Sequence, residues 1–298
     1  MGADYMKTYI LFNPSAGNSD AAKAEILKAK NDGICINVHD LEGYAAFFAG
    51  IDPTDKVILL GGDGTLMRFA NEMDGIDIEN EVYYMPYGTG NDFFKDVADI
   101  EGVPYDLGEN AHPIKVNGYI KNLPEVTIDG TSYKFINGVG FGIDGYCCEM
   151  GDKKKAESDK PVNYTAIAIK GLLIDYKPCG ATVTVDGVAH RYDKVWIAPT
   201  MNGRYYGGGM NAAPEQDRTA EDGKLTTILF HDSSKLATLM VFPKIFKGEH
   251  VNNKKIVAIH TGYDITVEFD EPRPLQIDGE TFIGVKSYRA VSRKKVKV

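Results

Sequence analysis

Positive charge is scarce in this sequence. Lys and Arg number 33 against 42 Asp and Glu in 298 residues, a formal net charge of −9. A chain with that balance has no whole-molecule field to draw it to nucleic acid, so DNA- and RNA-binding functions are not expected. Cysteine is sparse too: Cys35, Cys147, Cys148 and Cys179 form no CxxC pair, and two of them are neighbours. That arrangement suits neither zinc nor a disulfide framework, and reduced thiols are expected. Long apolar runs are missing, which argues against a spanning helix, and the opening MGADYMKTYI has no apolar signal region. Met6 stands where N-myristoylation would need Ser or Thr. A cytoplasmic protein is expected, with any membrane contact peripheral. There is no GxxxxGKS/T phosphate loop, and none of the six histidines falls in HExxH, so histidine is assigned no chemistry.

What is present is an ordinary folded composition, 43% hydrophobic and 25% charged, at a length that suggests two domains. From Lys7 to Pro86, strand-like runs (KTYILFN, ICINVHD, VILLGG, EVYYMP) alternate with helix-length segments, which implies a parallel sheet covered on both faces. After Leu123 the rhythm changes to short strands rich in Val, Ile, Thr, Tyr and Phe, with Asp-Gly turns at Asp129, Asp186, Asp222 and Asp278. The expected organisation is an α/β nucleotide-binding domain over 1–123 and an antiparallel β-sandwich over 124–298, whose last residues return to the first domain. Apolar spacing over 163–176 predicts a helix, whereas GDKKKAESDK over 151–160 reads as an exposed charged loop.

The most informative segment is VILLGGDGTLMRFANEM. A buried strand runs into Gly61, Gly62, Asp63, Gly64 and Thr65, and a helix begins at once. Glycines let backbone amides turn toward a ligand, and a helix N-terminus adds partial positive charge, so the loop suits a phosphate. A carboxylate at such a site makes sense if magnesium lies between it and the phosphate, and Asp63 is that carboxylate. The plainer reading is a tight turn with Asp63 as helix cap. Similar loops follow two more strands: Asn13-Pro14-Ser15-Ala16-Gly17-Asn18, and Gly88-Thr89-Gly90-Asn91-Asp92. Three polar glycine loops on the carboxyl edge of a parallel sheet amount to a nucleotide cradle. Gly140-Phe141-Gly142-Ile143-Asp144-Gly145 also satisfies GxGxxG but lies outside the α/β portion, so no dinucleotide site is expected there.

These segments resemble the diacylglycerol kinase catalytic-domain family, which includes soluble bacterial lipid kinases and sphingosine kinases. The resemblance rests on seven motifs in order: NPSAGN, LLGGDGTL, PYGTGNDFF, FINGVGFGID, MNGRYYGGGM, EDGKL and LQIDGE. It implies two domains with the active site in the cleft between them, and ATP- and magnesium-dependent phosphorylation of a lipid hydroxyl, diacylglycerol to phosphatidic acid. It further implies Asp278 as general base with Glu280 beside it, and Asp63 and Asp92 in the acidic network that organises magnesium. Nucleotide contacts would come from Asn13, Pro14, Ser15, Gly17, Gly61, Gly62, Gly64, Thr65, Gly88, Thr89 and Asn91. Asp222 would hold a structural magnesium, with Thr219 and Lys224 alongside. A further acid of the network could be Glu125 or Asp129. Asp278 and Glu280, two positions apart in an extended segment, would share a face, and like charges that close push one pKa upward.

Three departures from the family pattern stand out. Phe94 and Lys95 replace a small residue and an Arg; the loop from Asn211 to Asp222 is long, with Arg218 inside it; and the C-terminal helix is short. Lys153 to Lys155 and the tail Arg293, Lys294, Lys295 and Lys297 are basic enough to rest on an anionic bilayer. Exposed sheet edges could pair into a homodimer. Two other functions are compatible with GGDGT: a small-molecule kinase of the NAD kinase type, and a nucleotide- or lipid-binding regulator without turnover.

Overall fold

The computed structural model describes residues 6–13, 24–25, 27–28, 30, 32–87, 91–106, 111–157, 167, 170–171 and 175–293. The chain divides into two compact units, Met1–Lys121 and Asn122–Val298.

The first unit is built on a five-stranded sheet in the order β2-β1-β3-β4-β5. Its strands are β1 (Thr8–Phe12), β2 (Ile34–Asn37), β3 (Lys56–Gly61), β4 (Glu81–Pro86) and β5 (Ile114–Lys115). The first four are parallel, and β5 is an antiparallel edge that the sequence did not announce. β3 lies at the centre and is buried from Val57 to Gly61, as its unbroken apolar run requires. Ile58 and Leu60 pack with Ile10, Leu27 and Met85. Each such side chain removed from water contributes about 1.5–3 kcal/mol. Tyr84 of β4 stacks edge-on against Phe93, joining the sheet to a helix, and Tyr44 stacks edge-on against Phe69, joining two helices.

Two helices matter for the site. Asp63–Glu72 follows β3 directly, entered through Gly62 in an extended conformation (φ −94°, ψ −174°). Asp92–Glu101 follows β4 and stops at Gly102, whose left-handed φ of 65° is the conformation glycine takes at helix ends. Both therefore begin at the carboxyl edge of the sheet, where open α/β sheets bind ligands.

The second unit is a ten-stranded antiparallel sheet whose main path runs β15 (Val257–Gly262), β14 (Leu225–Phe230), β11 (Ile197–Met201), β8 (Gly138–Gly142), β16 (Asp264–Ile277), β17 (Glu280–Val291), β6 (Glu125–Ile128) and β7 (Thr131–Lys134). β9 (Cys179–Val185) pairs with β16, β10 (Val188–Val195) pairs with β9, and β12 (Tyr205–Tyr206) and β13 (Met210–Asn211) form a separate pair. β16 (Asp264–Ile277) and β17 (Glu280–Val291) form a long hairpin. The register slips between Glu268 and Leu275, and at that break β16 changes partners. Its first half pairs with β9 (Cys179–Val185), its last residues with β8 (Gly138–Gly142). A bent strand shared in this way folds a sheet back on itself. Val126, Phe141, Val183, Leu229, Phe269 and Leu275 belong to one core cluster drawn from its strands.

The Asp-Gly turns behave as their composition dictates. Asp129, Asp186 and Asp278 have φ between 46° and 49°, and each is followed by a glycine also at positive φ. That is the two-residue hairpin geometry favoured by Asp-Gly. Asp222 differs, since positive φ falls on Gly223 alone in that pair.

One sequence expectation changes here. Residues 151–157 are not a loop but the last turns of the helix Ile143–Glu157. Lys and Glu are good helix formers, and Lys153 pairs with Glu149 at 2.6 Å across one turn. The glycines of the GxGxxG run, where no dinucleotide site is expected, are explained by packing, Gly140 within the antiparallel sheet and Gly145 on the helix that lies against β16. A Cβ on Gly140 would sit 2.7 Å from Pro199 Cα, and one on Gly145 would sit 2.1 Å from the Pro274 carbonyl oxygen. The helix expected over 163–176 lies largely outside the described residues, although Ile167 and Lys170 within it are helical. Trp196 and Tyr206 are buried in an apolar cluster with Ile143, Met201 and Phe230, so they serve the core. All four cysteines are free thiols. No described helix is long and apolar enough to cross a membrane.

Candidate active site

In the first unit, the turn after β3 is tightly specified. A Cβ on Gly61 would lie 2.3 Å from Thr65 Oγ1, so glycine is required there for Thr65 to fold back under its own helix. Thr65 N–H donates to the Gly62 carbonyl at 3.0 Å, and Tyr87 N–H donates to the Gly61 carbonyl at 2.8 Å, tying this loop to the next one. Gly64 is exposed with nothing within 4 Å of where a Cβ would stand, so a ligand can approach its backbone closely.

Asp63 is buried and is the first residue of its helix. Its carboxylate accepts from Asp92 N–H at 2.8 Å and from Phe93 N–H at 3.3 Å. It thus satisfies two of the amides that every helix N-terminus leaves unpaired, but on the neighbouring helix rather than its own. The plainer reading, a cap of its own helix, is corrected: Asp63 is the first helical residue after Gly62 and caps the helix that begins at Asp92 instead. Asp92 is buried as well, and Asn91 accepts from Tyr84 O–H at 3.1 Å. Tyr84 and Tyr105 have raised pKa values, first through desolvation and then through the fields of Asp63 and Asp92, so both carboxylates bear on one small region.

That region fits a magnesium ion held by one or two carboxylates with water and phosphate oxygens completing the shell. Among the described residues no group of three or more His, Cys, Asp or Glu could hold a metal unaided. A cation here would therefore depend on oxygens brought by a nucleotide. Asn13 follows β1 and meets His39, whose Nε2 lies 3.1 Å from Asn13 Oδ1. His39 carries no motif, so its place beside the first loop was not readable from sequence. Pro14, Ser15, Gly17, Gly88 and Thr89 lie outside the described residues. Phe94 is fully buried and packs against Tyr105, so it serves the core.

In the second unit, Asp278 occupies the turn between β16 and β17. Its carboxylate accepts three consecutive amides from the segment leading into β8: Ile136 at 2.5 Å, Asn137 at 2.8 Å and Gly138 at 3.0 Å. Its own N–H donates to the Gly138 carbonyl at 3.0 Å. Desolvation nevertheless pushes its pKa up to about 6, against the lowering effect of those amides and of Arg218. The expected cause is corrected here. Asp278 is in a left-handed turn rather than an extended segment, and burial, not Glu280, raises it. Glu280 is exposed, opposite Ile277 across the turn.

Arg218, from the long loop, is buried at 6% exposure. Its guanidinium donates to Asn137 Oδ1 at 3.0 Å and reaches the Ile136 carbonyl at 3.4 Å, bracing the segment that holds Asp278. The sequence marked this loop as unusual but did not mark Arg218 as part of the site. Replacing Arg218 with Met removes a charge that lowers the Asp278 pKa. The Asp278 carboxyl is then expected to titrate at higher pH than in the wild type, followed by carboxyl carbon-13 NMR, and an unchanged titration would refute the coupling.

A second buried acid lies behind the turn. Asp144, at 6% exposure, has a pKa raised to about 7, chiefly by desolvation, and neither carboxylate oxygen meets a hydrogen-bond partner at normal distance. The amides of Gly145 and Asp144 and then the Gln276 side chain offset part of that rise, while Gln276 Oε1 accepts from Gly279 N–H at 2.8 Å, next to Asp278. Between about pH 4 and 7 the folded protein keeps this proton and the unfolded chain has lost it, so stability falls as pH rises through that window. Asp144→Asn is therefore expected to stabilise the protein by about 1–3 kcal/mol at pH 8 and by little at pH 4. Urea unfolding at the two pH values measures the difference.

The remaining acids separate. Asp129 is exposed at the left-handed position of the turn between β6 (Glu125–Ile128) and β7 (Thr131–Lys134). Glu125 starts β6, one residue after Pro124, whose carbonyl accepts from Phe135 N–H at 3.2 Å, so it adjoins the segment that leads to Ile136. Asp222 pairs with Lys224 at 3.3 Å, and Thr219 turns its hydroxyl to Asp217 at 2.6 Å. The loop borders a cleft of about 580 Å³ lined by Asp217, Asp222, Lys224, Thr226 and Lys254.

Comparison with known proteins places this architecture in a class of two-module lipid kinases. Residues 7–123 match the diacylglycerol kinase catalytic domain, and residues 137–296 match the YegS C-terminal NAD kinase beta sandwich-like domain. The chain belongs to the family of the YegS C-terminal NAD kinase beta sandwich-like domain, which covers more than half of it, joined to a diacylglycerol kinase catalytic domain. It is 28% identical over 257 residues to a diacylglycerol kinase of Mycobacterium tuberculosis, covering 82% of this chain and 80% of that one. With a diacylglycerol kinase of Bacillus subtilis it shares 24% over 281 residues, covering 91% and 88%. A crystal structure of a diacylglycerol kinase from Bacillus anthracis str. Sterne superposes with a TM-score of 0.59 at 18% identity, over 98% of this chain and 96% of that one, which supports the fold.

Proposed function

We propose that this protein transfers the γ-phosphoryl group of ATP to a lipid hydroxyl, with diacylglycerol as acceptor and phosphatidic acid as product. The observation that carries the reading is Asp278, a carboxylate poised near pH 6 in a turn held by three amides and braced by Arg218. A base with that pKa is ionised at neutral pH yet still basic enough to accept a proton as a hydroxyl attacks. Asp278 takes the hydroxyl proton, the lipid oxygen bonds to the γ-phosphorus, the bond to the β-phosphate bridging oxygen breaks, and ADP leaves.

The chain's own contribution in the first unit is placement. The exposed backbone at Gly64 and the N-terminus of the helix that begins at Asp63 receive phosphate oxygens, with Asn13 and Asn91 at the neighbouring loops. Magnesium, when bound with the nucleotide at Asp63 and Asp92, would offset phosphate charge. For Asp222, Thr219 and Lys224 we keep the role of a structural metal loop, to which the cleft beside Asp222 gives access. Glu280, exposed beside the turn, is available to the acceptor's polar end.

The test is transfer of labelled phosphate from ATP with magnesium to detergent-dispersed lipids, with NAD in the panel. A lipid product is expected. Turnover of NAD alone, or ATP binding without any product, would overturn the reading.

A further inference from the structure

A short amphipathic segment of the second unit faces outward with the wrong side chains for water. The helix Lys235–Val241 is capped by Ser234 and continues into the 3-10 turn Phe242–Lys247. Inward, Thr238, Val241, Phe242 and Ile245 are buried, and the last three join the apolar cluster around Trp196 and Phe230. Outward, Leu236, Met240, Pro243 and Lys247 follow at i, i+4, i+7 and i+11 and are all exposed. Leu236 is 66% and Met240 63% exposed, and Phe246 beside them is 41% exposed. Surface helices ordinarily spend such positions on charged residues.

Within the segment the charges have one sign, and exposed Asp232 and Glu249 flank it. Lys235, Lys244 and Lys247 are exposed, and no Asp or Glu occurs from Ser233 to Gly248. In a chain of net charge −9 this is a local reversal. We propose that this outer face docks on the surface of an anionic phospholipid bilayer. Leu236, Met240 and Phe246 would enter the headgroup boundary while the lysines meet lipid phosphates. Apolar side chains rimmed by lysine are what an interfacial helix presents. A second copy of this chain fits less well, because a two-fold contact through the patch would set lysines against lysines. The surface differs from Lys153–Lys155 and from the C-terminal tail, and its purpose rests on the lipid-kinase reading.

The experiment is co-sedimentation of the full chain with phosphatidylglycerol/phosphatidylcholine vesicles and with phosphatidylcholine alone, for the wild type, L236E/M240E and K244E/K247E. The positions are exposed, so the variants should fold, which circular dichroism checks. Binding to the anionic vesicles is expected, with at least about a tenfold loss in each variant. Phosphorylation of detergent-dispersed diacylglycerol by the variants is expected to match the wild type. Equal vesicle binding by all three proteins, or none by the wild type, would overturn the proposal. So would a dimer that L236E/M240E dissociates while vesicle binding stays intact. Vesicle binding by a wild type that phosphorylates no lipid would leave the docking surface standing and refute the kinase reading instead.

Discussion

Asp278→Asn is expected to lower kcat/KM for lipid phosphorylation by about 10²–10⁴-fold, the usual worth of a positioned general base, with little change in KM for ATP. Asparagine is the informative replacement. It tolerates the left-handed backbone at φ 46°, which a β-branched residue would not. Its oxygen can still accept from Asn137 and Gly138, but its amide would then confront the Ile136 N–H in place of Oδ2. One buried donor left unpaired costs about 1–3 kcal/mol, so a lower melting temperature should accompany the lost activity. Thermal unfolding separates the two effects: a variant folded at the assay temperature yet inactive supports the base. Activity within tenfold of the wild type would remove Asp278 from that role.

The second large effect is expected at Asp63, where two substitutions divide structure from chemistry. Asp63→Ala removes the acceptor for both Asp92 N–H and Phe93 N–H in a buried setting, costing about 1–3 kcal/mol. Asp63→Asn keeps one acceptor oxygen and should lie nearer the wild type in urea unfolding. Both should lose activity by about 10²-fold or more if the charge serves a nucleotide-bound cation, a contribution of several kcal/mol. An Asn variant that is active while the Ala variant is not would make Asp63 a helix cap and nothing further.

Much of the first unit was legible because its signals are local. A run such as Val57–Leu60 cannot be exposed on either face, and three glycines in four positions weaken any single regular element across them, so the change from strand to helix follows from composition. The antiparallel edge β5 was not legible, since Ile114–Lys115 is two residues long and carries no period. The helix over 151–157 was misread because a run of lysines looks like loop; its support is the pairing with Glu149 one turn earlier.

The candidate site divides along the same line. The sequence by itself determined the residue types at the turns, the order of the motifs, the acidic net charge and the α/β-then-β plan, because each depends on neighbours in the chain. Only the tertiary structure decided that Asp63 caps the neighbouring helix, and that Arg218 reaches Asn137 across 81 residues. It also decided that burial rather than Glu280 lifts the Asp278 carboxyl. Those outcomes depend on desolvation and on hydrogen bonds between distant segments, and no spacing along the chain encodes either until the strands have paired.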